Sequence, residues 1–227
     1  TKPFILGRGK MIKAVFLDFD GTISDSKGIA FLSLVRTFEE FGYKFSERRL
    51  LGLLGIKMGR MLRKLGIGVG KVREIRDRFY RRFTGAAAAG EIKTCVSLKP
   101  LWKMKEDGIS LIVVSNSRTS FLLASIKSLG IEGLFDRIYG AEKFVSKDRM
   151  LRRLFRRMKI KSSEAVYVGD RFSDVEFAKK AGCVSVAVHN KCSWSTLERI
   201  RKAGPDYVVR DFYGLRKVVS KINNSVV

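Results

Sequence analysis

The stretch that most constrains this chain is a short apolar run that stops in acids. Ala14-Val15-Phe16-Leu17 is followed at once by Asp18-Phe19-Asp20-Gly21-Thr22, then by the polar turn Ile23-Ser24-Asp25-Ser26. An apolar run that ends abruptly in acids and glycine reads as a buried strand, here over 12–17, delivering its last residues to a loop. In open parallel α/β sheets, ligands bind just beyond the carboxyl ends of such strands. Gly21 lets the chain turn sharply, and Thr22 can hydrogen-bond the loop. Two carboxylates two residues apart at a strand end can divide one task, one as metal ligand and nucleophile, the other as proton carrier. The same Asp-x-Asp-Gly also makes an ordinary turn after a strand, so the rest of the chain has to decide.

From residue 28 to about 95 the texture is helical. Phe31, Leu34, Val35, Phe38 and Phe41 share one helical face; Leu50, Leu51, Leu53 and Leu54 follow a capping Ser46. Met58, Met61, Leu62 and Leu65 continue in the same spacing, and Val72, Ile75, Phe79 and Phe83 form one more amphipathic face. Gly66, Gly68 and Gly70 read as a loop, since they do not follow a strand, and no strand-like alternation is expected in this block. After it, short apolar runs at 109–114, 137–139, 165–168, 184–188 and 206–209 alternate with helical stretches at 101–106, 121–129, 147–158, 175–181, 195–202 and 212–219. Strands separated by helices predict a parallel sheet covered on both faces. The expected fold is therefore an α/β, doubly wound, Rossmann-like core over 11–27 and 96–227, with an α-helical cap inserted at 28–95. Met11 offers a second in-frame start, which makes residues 1–10 an N-terminal extension.

Polar groups collect at the strand ends. The first strand supplies Asp18 and Asp20. The second supplies Ser115 and Asn116, whose side chains and backbone N–H groups can hold phosphate oxygens. Lys147 opens a helix, where a cation can neutralise a phosphate. The strand at 165–168 runs into Gly169-Asp170-Arg171-Phe172-Ser173-Asp174, and Asp170 and Asp174 are hard oxygen ligands suited to Mg²⁺. His189 is the only histidine, and Cys95, Cys183 and Cys192 form no Cys-x-x-Cys pair. That argues against a His-based site, a zinc site or a disulfide framework, and for a reducing cytoplasm. Residues 1–10 show no signal peptide, and no apolar run is long enough for a membrane span. Lys and Arg number 46 against 22 Asp and Glu, a formal charge of +24. Such a surface attracts polyanions. It is read either as a solvated surface or as a nucleic-acid or polyanion contact through Arg149, Arg152, Arg153, Arg156 and Arg157.

The order Asp-x-Asp-Gly-Thr, strand-end Ser115, Lys147, and Gly-Asp-x-x-x-Asp resembles the haloacid dehalogenase-like hydrolases, specifically phosphoglycolate phosphatase-type members with a helical cap. The resemblance spans Met11 to about Val219. It implies a Mg²⁺-dependent phosphatase acting on a small anionic phosphate monoester, such as phosphoglycolate, a sugar phosphate or a nucleotide; a pyrophosphatase is the alternative. It implies that Asp18 is the nucleophile, forming an aspartyl-phosphate, and that Asp20 is the acid–base. Ser115 and Lys147 would bind the phosphoryl group. The metal would be held by Asp18, the Asp20 carbonyl and Asp170, with Asp174 in support. Two departures stand out. Thr94-Cys95-Val96-Ser97 occupies the place of a common Pro-Gly pair, and Asp148 replaces a proline after the motif lysine, which leaves Lys143 as runner-up for that role. Within 28–95, 15 Lys and Arg face 6 Asp and Glu, so the cap suits a second negative charge on the substrate, with Arg60, Arg63 and Lys64 as candidate contacts. Lys57 is a further candidate, as an imine-forming cap lysine like that of phosphonate-cleaving relatives. A monomer or homodimer is expected.

Overall fold

A computed structural model of the chain describes residues 11–225; the expected extension at 1–10 lies outside the described residues. The chain runs β1 (Ala14–Leu17), β2 (Ser24–Asp25), α1 (Lys27–Glu40), α2 (Glu47–Leu53), α3 (Met58–Lys64), α4 (Val69–Ala88) and β3 (Lys93–Thr94). It continues through α5 (Lys99–Glu106), β4 (Ser110–Val114), α6 (Thr119–Ser128), β5 (Arg137–Tyr139) and α7 (Lys147–Met158). Then follow β6 (Ala165–Gly169), α8 (Phe172–Ala181), β7 (Val184–Val188), α9 (Leu197–Ala203), β8 (Tyr207–Val209) and α10 (Phe212–Asn224). Six strands form one sheet in the order β5-β4-β1-β6-β7-β8, and every pairing in it is parallel.

The alternation of side chains along β1 explains the layers. Val15 and Leu17 face a cluster containing Leu101 and Met104 of α5, Phe121 and Leu122 of α6, and Phe212 and Leu215 of α10. Ala14 and Phe16 point the other way, onto Met150, Leu151, Leu154 and Phe155 of α7 and Ala178 of α8. All four residues of β1 are fully buried, as a central parallel strand requires. Burying each large apolar side chain contributes about 1.5–3 kcal/mol. The polar face of α7 leaves Arg149, Arg152, Arg153, Arg156 and Arg157 exposed. No helix among the described residues is long and apolar enough to cross a membrane.

The first cluster continues without a break into α1–α4, through Leu34, Phe38, Met61, Phe79 and Phe83. The helical insert is thus packed onto the sheet domain as a cap. Two features of it differ from expectation. The block is not purely helical, because β3 pairs antiparallel with β2 at the neck; two-residue strands have no periodicity to read. Gly70 lies inside α4 rather than in the loop, since Gly68 is the cap residue of that helix. In the core, α8 begins at Phe172, three residues earlier than its apolar pattern suggests. The Asp174 carboxylate accepts from the Arg171 backbone N–H at 3.1 Å and so caps its own helix.

Candidate active site

Register brings three strand ends together. Leu17 pairs with Val113 on one side and Val168 on the other, so Asp18, Ser115 and Asp170 emerge side by side at the carboxyl edge. Gly21 adopts φ +77°, and a Cβ there would lie 2.5 Å from Asp170 Oδ2 and from Trp194 Cδ1. Only glycine lets the loop after β1 turn this close to the acid on β6.

Asp18, Asp170 and Asp174 are all buried, and one carboxylate oxygen from each lies within 4.8 Å of the others. Lys147, 1% exposed, places Nζ 2.8 Å from Asp18 Oδ2 and 2.8 Å from Asp174 Oδ1. The other Asp18 oxygen accepts from the Phe19 N–H at 2.8 Å. Asp170 is fixed by the Thr22 hydroxyl at 3.2 Å and the Trp194 backbone N–H at 2.5 Å. Burial pushes Asp18 up to about 6, with Lys147 opposing and Asp174 and Asp20 adding to the rise. Burial and the charges of Asp174 and Asp18 push Asp170 well above the usual carboxylate range. Burial pulls Lys147 down, but Asp174 and Asp18 outweigh it, so its affinity for a proton is raised. Fully ionised, three carboxylates outweigh one ammonium by two charges in a buried cluster of oxygen donors, and burial together with the neighbouring acids raises the proton affinities of Asp18 and Asp170. A hard divalent cation fits that donor set and that charge.

Asp20 occupies a different setting. Its carboxylate accepts from Ser26 Oγ at 2.6 Å, Ser117 Oγ at 2.6 Å and Ser115 Oγ at 3.4 Å. Burial raises its pKa, and the hydroxyls of Ser117 and Ser26 only partly oppose this. Its carboxylate is not part of the acid cluster. Ser26 and Ser117 carried no spacing signal of their own; the alternation of Ser115 and Ser117 about Asn116 is the one trace of this cradle in the sequence.

The remaining candidates divide. Lys143 is exposed in a 3₁₀ turn (Ala141–Lys143), so Lys147 alone reaches the acids. Asn116 lines the cavity over Asp18 and Asp20, and its side-chain amide donates to Gly55 O of the cap at 3.1 Å. Lys57 reaches across to the core and donates to Ala141 O at 2.7 Å and to Phe144 O, so it tethers the cap instead of facing the acids as an imine former would. Arg60, Arg63 and Lys64 are exposed and do not line the cavity between cap and core. Their helix turns Met58 and Met61 inward instead, because the apolar face of α3 packs toward the core. Further cap–core contacts join Asp77 to Arg118 at 2.6 Å and stack Phe83 on Phe121 at 3.8 Å. They enclose a cavity of about 40 Å³ over Asp18 and Asp20.

Comparison with known proteins agrees with this fold. The family model described as "Haloacid dehalogenase-like hydrolase" matches residues 15–188. A protein provisionally named pyrophosphatase PpaX, from Caldanaerobacter subterraneus subsp. tengcongensis, is 29% identical, covering 92% of this chain and 94% of that protein. A phosphoglycolate phosphatase from Pectobacterium atrosepticum is 26% identical over 88% of this chain and 89% of its own length. Among solved structures, a predicted phosphatase from Clostridium acetobutylicum superposes with a TM-score of 0.80 at 22% identity, covering 93% of this chain and all of that one; that likeness concerns the fold. With the family model running from β1 through β7, across the cap and the strand ends that carry Asp18 and Asp170, this chain belongs to the haloacid dehalogenase-like hydrolases.

Proposed function

We propose that the chain is a phosphatase that hydrolyses small phosphate monoesters through an aspartyl-phosphate on Asp18, with residues 28–95 acting as the cap that closes over the reaction. The observation that carries this reading is the contrast between two acids on one strand end. Burial raises both acids, but their partners differ: Asp18 faces the Lys147 ammonium and the acid cluster, whereas Asp20 stands outside that cluster and faces three hydroxyls. Such a divergence of settings separates a nucleophile from an acid. Relatives named phosphoglycolate phosphatase and pyrophosphatase support the substrate class.

Asp18 attacks phosphorus through a carboxylate oxygen. The bond to the leaving oxygen breaks, and Asp20 gives that oxygen its proton. Asp20, now a carboxylate, takes a proton from water, whose oxygen attacks the same phosphorus and frees Asp18 and inorganic phosphate. Lys147 holds Asp18 in place and, with Ser115, offers donors to the phosphoryl oxygens. The carboxylates of Asp18, Asp170 and Asp174, with the Asp20 carbonyl, would hold Mg²⁺, which when bound neutralises charge around the transferring group. The cap packs over both acids and keeps bulk water from the acyl phosphate.

Hydrolysis of p-nitrophenyl phosphate and of 2-phosphoglycolate is expected with Mg²⁺ and is expected to vanish in EDTA. No hydrolysis of either ester under any divalent ion would overturn the reading. The acid–base role has its own signature. Asp20→Asn is expected to lower steady-state turnover about 10²–10⁴-fold. With p-nitrophenyl phosphate, whose leaving group needs no proton, a burst of one equivalent of p-nitrophenol per enzyme should precede the slow phase. Wild-type rates without a burst would remove Asp20 from the mechanism.

A further inference from the structure

Among the residues that line the cavity, one carries a positive charge, and it does not come from the basic cap. It is Arg171, in the turn between β6 and α8 and next to Asp170. Its side chain makes no hydrogen bond or ion pair among the described residues, and its Nε is buried without a partner. Trp194 lines the same cavity, and its indole Nε1 is also buried without a partner. The two side chains meet at Gly55, the cap residue whose carbonyl Asn116 holds. Gly55 has φ +82°, and a Cβ there would lie 1.7 Å from Arg171 Nη1 and 2.9 Å from Trp194 Cε3. The cap therefore meets the guanidinium and the indole with bare backbone.

Buried donors with no acceptor are costly, and two of them on residues that line one cavity point to an acceptor that arrives with the ligand. A guanidinium matches a carboxylate or phosphate with paired N–H groups. The cap side of the cavity has a different character. Met58, Met61, Phe79 and Phe83 make it largely apolar, with few partners for the hydroxyls of a sugar. Its volume, about 40 Å³, favours a compact ligand. An acceptor that is both small and anionic satisfies these constraints together.

We propose that Arg171, assisted by Trp194 Nε1, is the subsite for a second anionic group on the leaving side of the substrate, and that the chain selects small bi-anionic phosphate compounds. The group is a carboxylate or a second phosphoryl group. The proposal rests on the phosphatase reading and names the substrate class of that same site.

The test compares kcat/KM for 2-phosphoglycolate, pyrophosphate and ethyl phosphate, the last being of similar size but with an uncharged leaving group. Arg171→Gln is expected to lower kcat/KM for the bi-anions about 30–100-fold, as losing a charged hydrogen-bond pair does. The ratio of bi-anion to ethyl phosphate should fall at least tenfold. Arg171→Lys should recover part of that ratio, and Trp194→Phe should lower it about three- to tenfold. A fall confined to phosphoglycolate assigns the carboxylate, and one confined to pyrophosphate assigns the phosphoryl group. Equal losses on all three substrates would mean that Arg171 only supports the neighbouring acids, and the proposal fails. If Arg171→Gln does not fold, the ratio in Trp194→Phe decides: an unchanged ratio overturns the subsite. If the wild type hydrolyses none of the three, nor p-nitrophenyl phosphate, the phosphatase reading has failed. Calorimetric binding of 2-phosphoglycolate and ethyl phosphate to wild type and Arg171→Gln then decides the subsite separately, and equal losses of affinity overturn it.

Discussion

Asp18→Asn is expected to lower turnover by at least about 10⁴-fold, the scale on which removing a nucleophile acts, while leaving the melting temperature in EDTA unchanged or higher. The two halves of this expectation have separate causes. Turnover fails because an amide oxygen does not displace an alkoxide from phosphorus. Stability survives because Asp18 is itself a burden on the metal-free fold: burial raises its pKa to about 6, with the neighbouring acids adding to the rise. Asparagine keeps the shape, and its carbonyl still accepts from the Phe19 N–H that now meets Oδ1. Lys147 keeps its contact with Asp174 at 2.8 Å. For a chain of this size, a change within about 1 kcal/mol moves the midpoint by only about 2–4 °C. Thermal unfolding and phosphate release on the same preparation check both halves. Turnover above about one per cent of wild type would place the nucleophile elsewhere. A fall of ten degrees with dead enzyme would mean that Asp18 holds the loop together and is not reporting on chemistry.

The parts of this site that sequence makes visible share a physical trait. Each is announced by a change of texture, from an apolar strand to acids or hydroxyls at 17/18, 114/115 and 169/170. The parallel register of β1 with β4 and β6 then brings those changes to one place. Lys147 was legible for a related reason, because the helix it opens has apolar and basic faces that fix where its first turn lies. What could not be read depends on how a side chain rotates or on which surface a helix presents to a second domain. Arg60, Arg63 and Lys64 look like anion contacts by composition, but α3 turns its methionines to the cavity and its cations to water. Asn116 sits where a phosphate donor is expected, yet its amide is taken by Gly55 of the cap. Ser26 and Ser117 meet at Asp20 from positions 91 residues apart, a convergence that no local pattern encodes. The neck strands β2 and β3 are two residues each, a single strand period, too short for an alternation to repeat.

The largest effect on the fold is expected at Lys147, where a single ammonium stands between two buried carboxylates. Lys147→Met fills much the same volume beside the ring of Tyr167, over which Nζ now lies at 5.4 Å from the centroid, so packing survives and charge does not. Removing one partner of a buried ion pair costs about 3–5 kcal/mol, because the other is left uncompensated. Here two are left, Asp18 and Asp174, with Asp170 close by. In neutral buffer with EDTA the midpoint is expected to fall by about 6–20 °C. Two further measurements tie this loss to charge. Mg²⁺ at about 100 times its dissociation constant contributes about 2.7 kcal/mol, and a cluster that has lost its ammonium should hold the cation more tightly than the wild type does, so at one Mg²⁺ concentration the deficit of Lys147→Met should shrink. Adding Asp18→Asn to Lys147→Met removes one of the stranded carboxylates. Asp18→Asn should therefore raise the midpoint by more in the Lys147→Met background than it does in the wild type, although the double variant is expected to be inactive. A gain that depends on the background is what coupled charges in one cluster produce and what independent sites do not. An equal effect of Asp18→Asn in both backgrounds would mean that Lys147 supports the fold by packing alone, and the balance of charge proposed for the acid cluster would have to be abandoned.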